Sequence, residues 1–284
     1  MLILQKLKLS ASNIPVPDEY HYHEPGKQPT TVLLFPNFTI IDQVTPALTP
    51  DLIKYFVNPA ATTTTPLTAP RPESTEETVS EASSEAGEGS QQSPHQHEQE
   101  QPQIDTTKKT DIKSLTPLRS RPCPHSAVIL LCSQRTRDVR CGQSAPLLRR
   151  EFERHLRPLG LYRELDDERP GGVGIYFVSH VGGHKYAANV IVYRRRDFSN
   201  WYCKPAAAGT SVVDDDDDEG ESSDQEEEEQ GKTEEGASQG IWLARVRPED
   251  CENIIRYTVL QGKVVKPGHQ LRGGFDREKG LISW

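Results

Sequence analysis

Two stretches of this chain hold almost no large apolar side chains, and they set the limits of what the rest can build. Residues 59–115 are mostly Thr, Pro, Ser, Glu and Gln, and residues 207–239 contain the runs DDDDDE and EEEE. Burying such segments cannot offset the conformational entropy lost on ordering, so both are expected to be disordered. The 284 residues then divide into a small N-terminal β/α piece at 1–58, a linker at 59–118, and a larger domain at 119–284 that carries the acidic loop 207–239. That only 34% of residues are hydrophobic agrees with this division.

Charge is divided in the same way. Against −9 overall, residues 214–235 carry −13 and residues 59–112 carry −7, which leaves the foldable remainder at +11. A basic surface attracts an acidic redox partner or nucleic acid, and no nucleic-acid motif supports the second. Five cysteines, at 123, 132, 141, 203 and 251, are an odd and sparse set, so a disulfide framework is not expected and a reducing compartment is. No apolar run approaches the roughly 20 residues of a membrane span. The opening MLILQKLKLSASN has two lysines and no acid. It weakly resembles a mitochondrial presequence, though without arginine, and reads equally well as a first strand.

Within the foldable parts, TTVLLFPNFTII reads as strand, turn and strand. TPDLIKYFV follows as a helix capped by Thr49 or Asp51. SAVILLC at 126–132 is a buried-strand run. APLLRREFERHLRPLG at 145–160 is an amphipathic helix with Leu147, Leu148, Phe152, Leu156 and Leu159 on one side, Pro146 near its first turn and Gly160 at its end. GVGIYFVSH at 172–180, AANVIVYR at 187–194 and IWLARV at 241–246 are further strands, and Pro248 opens a last helix. This order fits a small α/β (α+β) domain of thioredoxin type.

The chemistry-bearing residues sit at strand ends. Cys132 ends one strand, and Cys141 follows after eight residues, just before a helix and Gly142. His180 and His184 frame HVGGH after the next strand, with Gly182 and Gly183 letting the backbone bend. Loops after parallel strands leave a sheet on the same edge, so all four side chains can converge. Two thiolates and two imidazoles form a metal set. Zinc sites usually space paired cysteines by two to four residues, whereas a binuclear centre suits a wider loop. A structural zinc interaction module stands as the alternative. A thiol oxidoreductase is the third reading, although it lacks the usual C-x-x-C pair.

LLCSQRTRDVRCGQSAPLL, FVSHVGGHKYAANVIVY, IWLARVRPED and LRGG together resemble the fungal sucrase/ferredoxin-like family, most of all its branch of mitochondrial-inheritance proteins. The resemblance implies a thioredoxin-like ferredoxin fold and a 2Fe–2S cluster ligated by Cys132, Cys141, His180 and His184. Family members usually carry a longer N-terminal half. With two cysteine ligands the oxidised cluster is neutral rather than doubly negative, so its potential should lie above plant-type ferredoxins. Solvent-facing imidazole nitrogens would couple proton to electron. The implied role is electron transfer or redox sensing rather than catalysis.

Arg135, Arg137, Arg140 and Lys185 are read either as solvated loop charges or as a docking face, and Asn189 either as a hydrogen-bond donor near the cluster or as a turn cap. Cys123 reads as an inert loop cysteine, Cys203 as lying by the acidic loop, and Cys251 as packed on a helix. The Leu281–Trp284 tail resembles the signal by which cytosolic iron–sulfur proteins meet the assembly machinery, and reads equally well as a chain end with one packed aromatic. The expected partners are therefore a redox protein and that machinery. The compartment is intracellular, with the mitochondrion slightly favoured over the cytosol.

Overall fold

A computed structural model of the chain describes residues 7–21, 23–24, 27–67, 112–179, 181, 184–196 and 236–281. Most of the stretches expected to be disordered lie outside these residues, as do Cys203 and the last three residues.

The described part is built in layers. A three-stranded antiparallel sheet joins β1 (Thr30–Leu34), β2 (Thr39–Val44) and β3 (Arg119–Pro122). A six-stranded sheet has the order β5-β6-β4-β7-β8-β9, from β4 (Ala127–Cys132), β5 (Tyr162–Arg163), β6 (Val173–Val178), β7 (Val190–Arg194), β8 (Gln239–Leu243) and β9 (Leu271–Asp276). β4 lies parallel to β6, with Cys132 opposite Val178, and antiparallel to β7. Central strands β6-β4-β7-β8, one parallel pair followed by two antiparallel partners, are the arrangement expected of a thioredoxin-like domain.

Both faces of the large sheet are covered, which is why SAVILLC is apolar without alternation. On one face pack α2 (Val139–Leu156) and α3 (Cys251–Asn253), the latter extended by a π-type turn over Ile254–Val259. Ile129, Leu131, Val192 and Ile241 meet Leu148, Phe152, Leu156 and Ile255 there. The other face receives the small sheet, where Phe38, Val128, Tyr176 and Phe275 are buried together and the Phe35 and Tyr193 rings stack at 4.2 Å. Beyond the small sheet, α1 (Thr49–Leu52) and its π-type extension Ile53–Val57 close a third cluster with Ile41, Phe56 and Leu118.

Several sequence expectations are corrected. No side chain caps α1 at Thr49 or Asp51, because a 3-10 turn, Pro46–Leu48, runs directly into it. α2 begins at Val139, six residues before the expected start, with Asp138 as its cap accepting a 2.9 Å hydrogen bond from the Arg140 N–H. Pro146 therefore lies inside the helix. Leu147 is 56% exposed and Leu159 39%, so neither belongs to the buried stripe. β8 starts at Gln239 and ends at Leu243, earlier than IWLARV suggested, and β3 and β9 are additions.

The chain start also reaches the large sheet. Beyond the two residues of β5, the outer edge of β6 is open, and residues 11–13 pair with it. Ser12 bridges Val178, and the Ser179 N–H donates to the Ala11 carbonyl at 2.7 Å. Asn13 Oδ1 accepts from the Phe177 N–H at 2.7 Å.

Candidate functional site

The buried stripe of α2 is Cys141, Ala145, Leu148, Phe152 and Leu156. Cys141 heads it, at the helical spacing that turns all five side chains toward the sheet. Opposite Cys141 the sheet presents the last residue of β4, Cys132. The two thiols are in hydrogen-bond contact, and they are 1% and 3% exposed respectively. Both are free. Burial first, and then the neighbouring Cys132, push the Cys141 thiol up to about 12.

Asn189, at the entry to β7, ties the two together. Its N–H donates to the Cys141 sulfur, and its carbonyl accepts from the Cys132 N–H at 3.2 Å. Asn189 itself is buried. Asn189 thus hydrogen-bonds to both cysteines through its backbone.

On the other side of β4, Ser133 donates to the Val178 carbonyl through both its N–H, at 2.9 Å, and its hydroxyl, at 3.3 Å. The ends of β4 and β6 are thus pinned at one edge, the edge from which His180 departs in sequence. His180 lies outside the described residues, as do Gly182 and Gly183. His184 opens a 3-10 turn, His184–Tyr186, and only its backbone is described. The structure therefore brings Cys132 and Cys141 together. Among the described residues no group of three or more His, Cys, Asp or Glu forms a metal-binding cluster.

Between the cysteines lie Arg135 and Arg137 in the loop and Arg140 in the first turn of α2, all exposed. Arg140 pairs with Asp138 at 2.7 Å. Cys123 is buried, its thiol pushed up by burial to about 11 despite a hydrogen bond from the His125 N–H, in line with an inert cysteine. Cys251 is fully buried on α3, and burial raises its thiol too.

Sequence reasoning singled out Lys185 but not the group it joins beside the histidine turn. Tyr186 has Arg272, Arg245 and Lys185 over its ring. LRGG was the signal, since it placed Arg272 in the family resemblance without a role. The strand pairing of residues 11–13 was legible only as one option for the chain start.

A family model described as sucrase/ferredoxin-like matches residues 2–273. Actin patches distal protein 1 of Saccharomyces cerevisiae is 54% identical over 69 residues, which cover 24% of this chain and 22% of that protein. Altered inheritance of mitochondria protein 32 of Clavispora lusitaniae is 30% identical over 142 residues, covering 50% of this chain and 33% of that protein. Its namesake from Debaryomyces hansenii is 30% identical over 139 residues, covering 49% and 33%. The matched part thus spans about a third or less of the length of these relatives. No solved structure matches. No helix among the described residues is long and apolar enough to cross a membrane. Fold topology, motif placement and the extent of the match agree: the chain belongs to the sucrase/ferredoxin-like family.

Proposed function

We propose that this chain binds a 2Fe–2S cluster through Cys132, Cys141, His180 and His184 and serves in one-electron transfer or redox sensing. The observation that carries the reading is the contact between two buried thiols at the end of β4 and the head of α2. Two sulfurs side by side in a buried site resist ionising together. A bound cationic centre is what would draw both into thiolate form, so the donor set fits the group.

The residues around the sulfurs have definable tasks. The Asn189 N–H donates to the Cys141 sulfur, and such bonds fix a ligand's orientation and favour its negative charge. Ser133 and the parallel register of β4 and β6 hold the edge from which the histidine segment leaves. When bound, such a cluster supplies a one-electron couple whose imidazole ligands can titrate. The potential is then expected to fall as pH rises over about 6–9.

The partners in this reading are a redox protein and the iron–sulfur assembly machinery. The mitochondrion is favoured over the cytosol on the strength of the relatives' printed name.

Anaerobic purification with iron, acid-labile sulfide and EPR measurements tests the reading. Wild type should hold iron and sulfide in equal amounts, with a signal on reduction. Cys132→Ser, Cys141→Ser, His180→Ala and His184→Ala should lose them, and Cys123→Ser should not. Colourless protein with zinc in place of iron would overturn the proposal.

The thiol contact also suits a dithiol–disulfide pair. Against that, the Cys141 thiol is pushed up rather than down, the opposite of a reactive redox cysteine. Iron-free protein with a titratable Cys132–Cys141 disulfide would favour this second reading.

A further inference from the structure

We propose that Lys185, Arg245 and Arg272 form a docking cradle, built around the ring of Tyr186, for the carboxylates of an acidic partner protein. The role of that partner rests on the redox reading above, whereas the binding can be tested without any metal.

The three cations come from separate parts of the fold: the 3-10 turn that begins at His184, the exit of β8, and the second residue of β9. The Arg272 guanidinium lies 3.4 Å from the Tyr186 ring centroid, that of Arg245 5.2 Å, and the Lys185 ammonium 5.9 Å. All three cationic residues are exposed and the tyrosine is half-buried. No carboxylate among the described residues pairs with any of them. Other surface arginines are neutralised at close range, Arg140 by Asp138 at 2.7 Å and Arg169 by Asp167 at 2.6 Å. Three like charges over one ring repel, and the negative face of the ring offsets only part of that repulsion. Carboxylates from another molecule would offset the rest.

The backbone holds this group in place. The Arg245 N–H donates to the Tyr186 carbonyl at 3.0 Å, and the Val246 N–H donates to that of Ala188 at 3.2 Å. Arg245 has φ of +52°, a left-handed conformation that a residue with a Cβ keeps only where its surroundings fix it. Its guanidinium also donates to the His269 carbonyl at 3.3 Å.

The layout points to a protein rather than to a small anion. The cations fan out over a half-buried ring instead of converging with backbone N–H groups on one buried point, as an anion nest would. Redox encounters use small interfaces and depend on charge for orientation and on-rate. The chain is −9 overall, with +11 outside the two acidic stretches, so the attraction comes from the local cluster of cations and not from the net charge.

The test is fluorescence anisotropy of a labelled peptide of alternating Glu and Gly, titrated with the full chain at low ionic strength. Saturable binding is expected, weakened by about tenfold or more in the Arg245→Gln, Arg272→Gln double variant. Because Arg245 sits in a strained turn, Lys185→Gln with Arg272→Gln is the second variant and should weaken binding to a similar degree. Arg150→Gln, at an exposed cation of α2, should change affinity by less than about twofold. Absence of saturable binding overturns the proposal, as does an equal loss in Arg150→Gln. Displacement of the peptide by inorganic phosphate, where sodium chloride of the same ionic strength leaves it bound, makes the cradle a small-anion site and also overturns the proposal. Iron content is read in parallel. Ligand variants that lose iron should still bind the peptide, which supports the cradle apart from the cluster reading, and cradle variants should keep their iron while losing the peptide.

Discussion

Arg135 and Gly142 are pressed together: a Cβ on Gly142 would stand 2.6 Å from the Arg135 Cβ and 2.8 Å from its Cα. The loop between the two cysteines therefore folds back onto the first turn of α2, next to Cys141. The Arg135 Cβ and Cα move only with the backbone and cannot swing aside as a side-chain end could. Gly142→Ala gains about 1 kcal/mol of helix propensity. The clash outweighs it, with an expected net loss of about 1–3 kcal/mol. A lower thermal midpoint with reduced iron retention is the expected result, and an unchanged midpoint would show that the loop yields.

The four described cysteines should separate into two classes on replacement. Cys251 is fully buried, and its thiol lies 3.8 Å from the Arg247 carbonyl and 4.0 Å from that of Leu148. Cys251→Ser puts a more polar hydroxyl in an apolar setting, at a cost of about 1–3 kcal/mol. Chemical denaturation should register that cost while metal content per folded chain stays at the wild-type level. Cys132→Ser should show the reverse emphasis, with metal lost first.

Asn13→Ala removes the acceptor of the Phe177 N–H and leaves that amide at an open strand edge. The loss should be about 1 kcal/mol. Amide exchange at Phe177 is expected to accelerate about fivefold, while exchange at Ile129 in the centre of β4 stays slow. Equal protection at Phe177 in variant and wild type would mean that residues 11–13 contribute nothing to that edge.

His125 supplies a pH dependence. Its Nε2 lies 2.9 Å from the Tyr176 hydroxyl, and its ring crowds Gly174, where a Cβ would stand 2.4 Å from the His125 Cδ2. Burial, followed by the nearby Arg163 charge, lowers its pKa from 6.5 to about 4, with Asp167 opposing. The native ring stays neutral while the unfolded chain takes up a proton below 6.5. The stability from this group is therefore complete above that pH and drains away as pH falls toward 4, by up to about 1.4 kcal/mol per unit. Urea midpoints should drop between about pH 7 and 5, and His125→Gln should flatten that slope. Parallel slopes in the two proteins would assign the acid sensitivity elsewhere.

The elements that could be read from the sequence are those whose residues face a single environment. SAVILLC is apolar throughout because both faces of β4 are covered, and TTVLLFPNFTII carries its turn residues between two apolar runs. The head of α2 was not legible. Val139 and Arg140 are exposed, so an unbroken apolar spacing starts only at Ala145, although Asp138 supplied a capping signal. Leu147 fits a helical stripe by spacing, but a helix packed on one face leaves room for few columns, and Leu147 falls outside them. β3 is all exposed and reads as RSRP, and β9 carries two glycines. Pairing partners distant in sequence determine both, and local pattern cannot show them. The meeting of Cys132 with Cys141 was legible, because one ends an apolar run and the other follows in the connection that leaves the sheet on the same edge. The expectations for His180 and for the side chain of His184 fall outside the described residues.

The pairing of residues 11–13 with β6 has a consequence in time. Ala11 and Ser179 are 168 positions apart, so residues 11–13 are synthesised well before the strand they pair with. Closing so long a loop is slow and comes after local elements have formed. That edge of β6 is therefore completed late, and a nascent chain stalled before β6 would expose residues 11–13 as an unmatched strand.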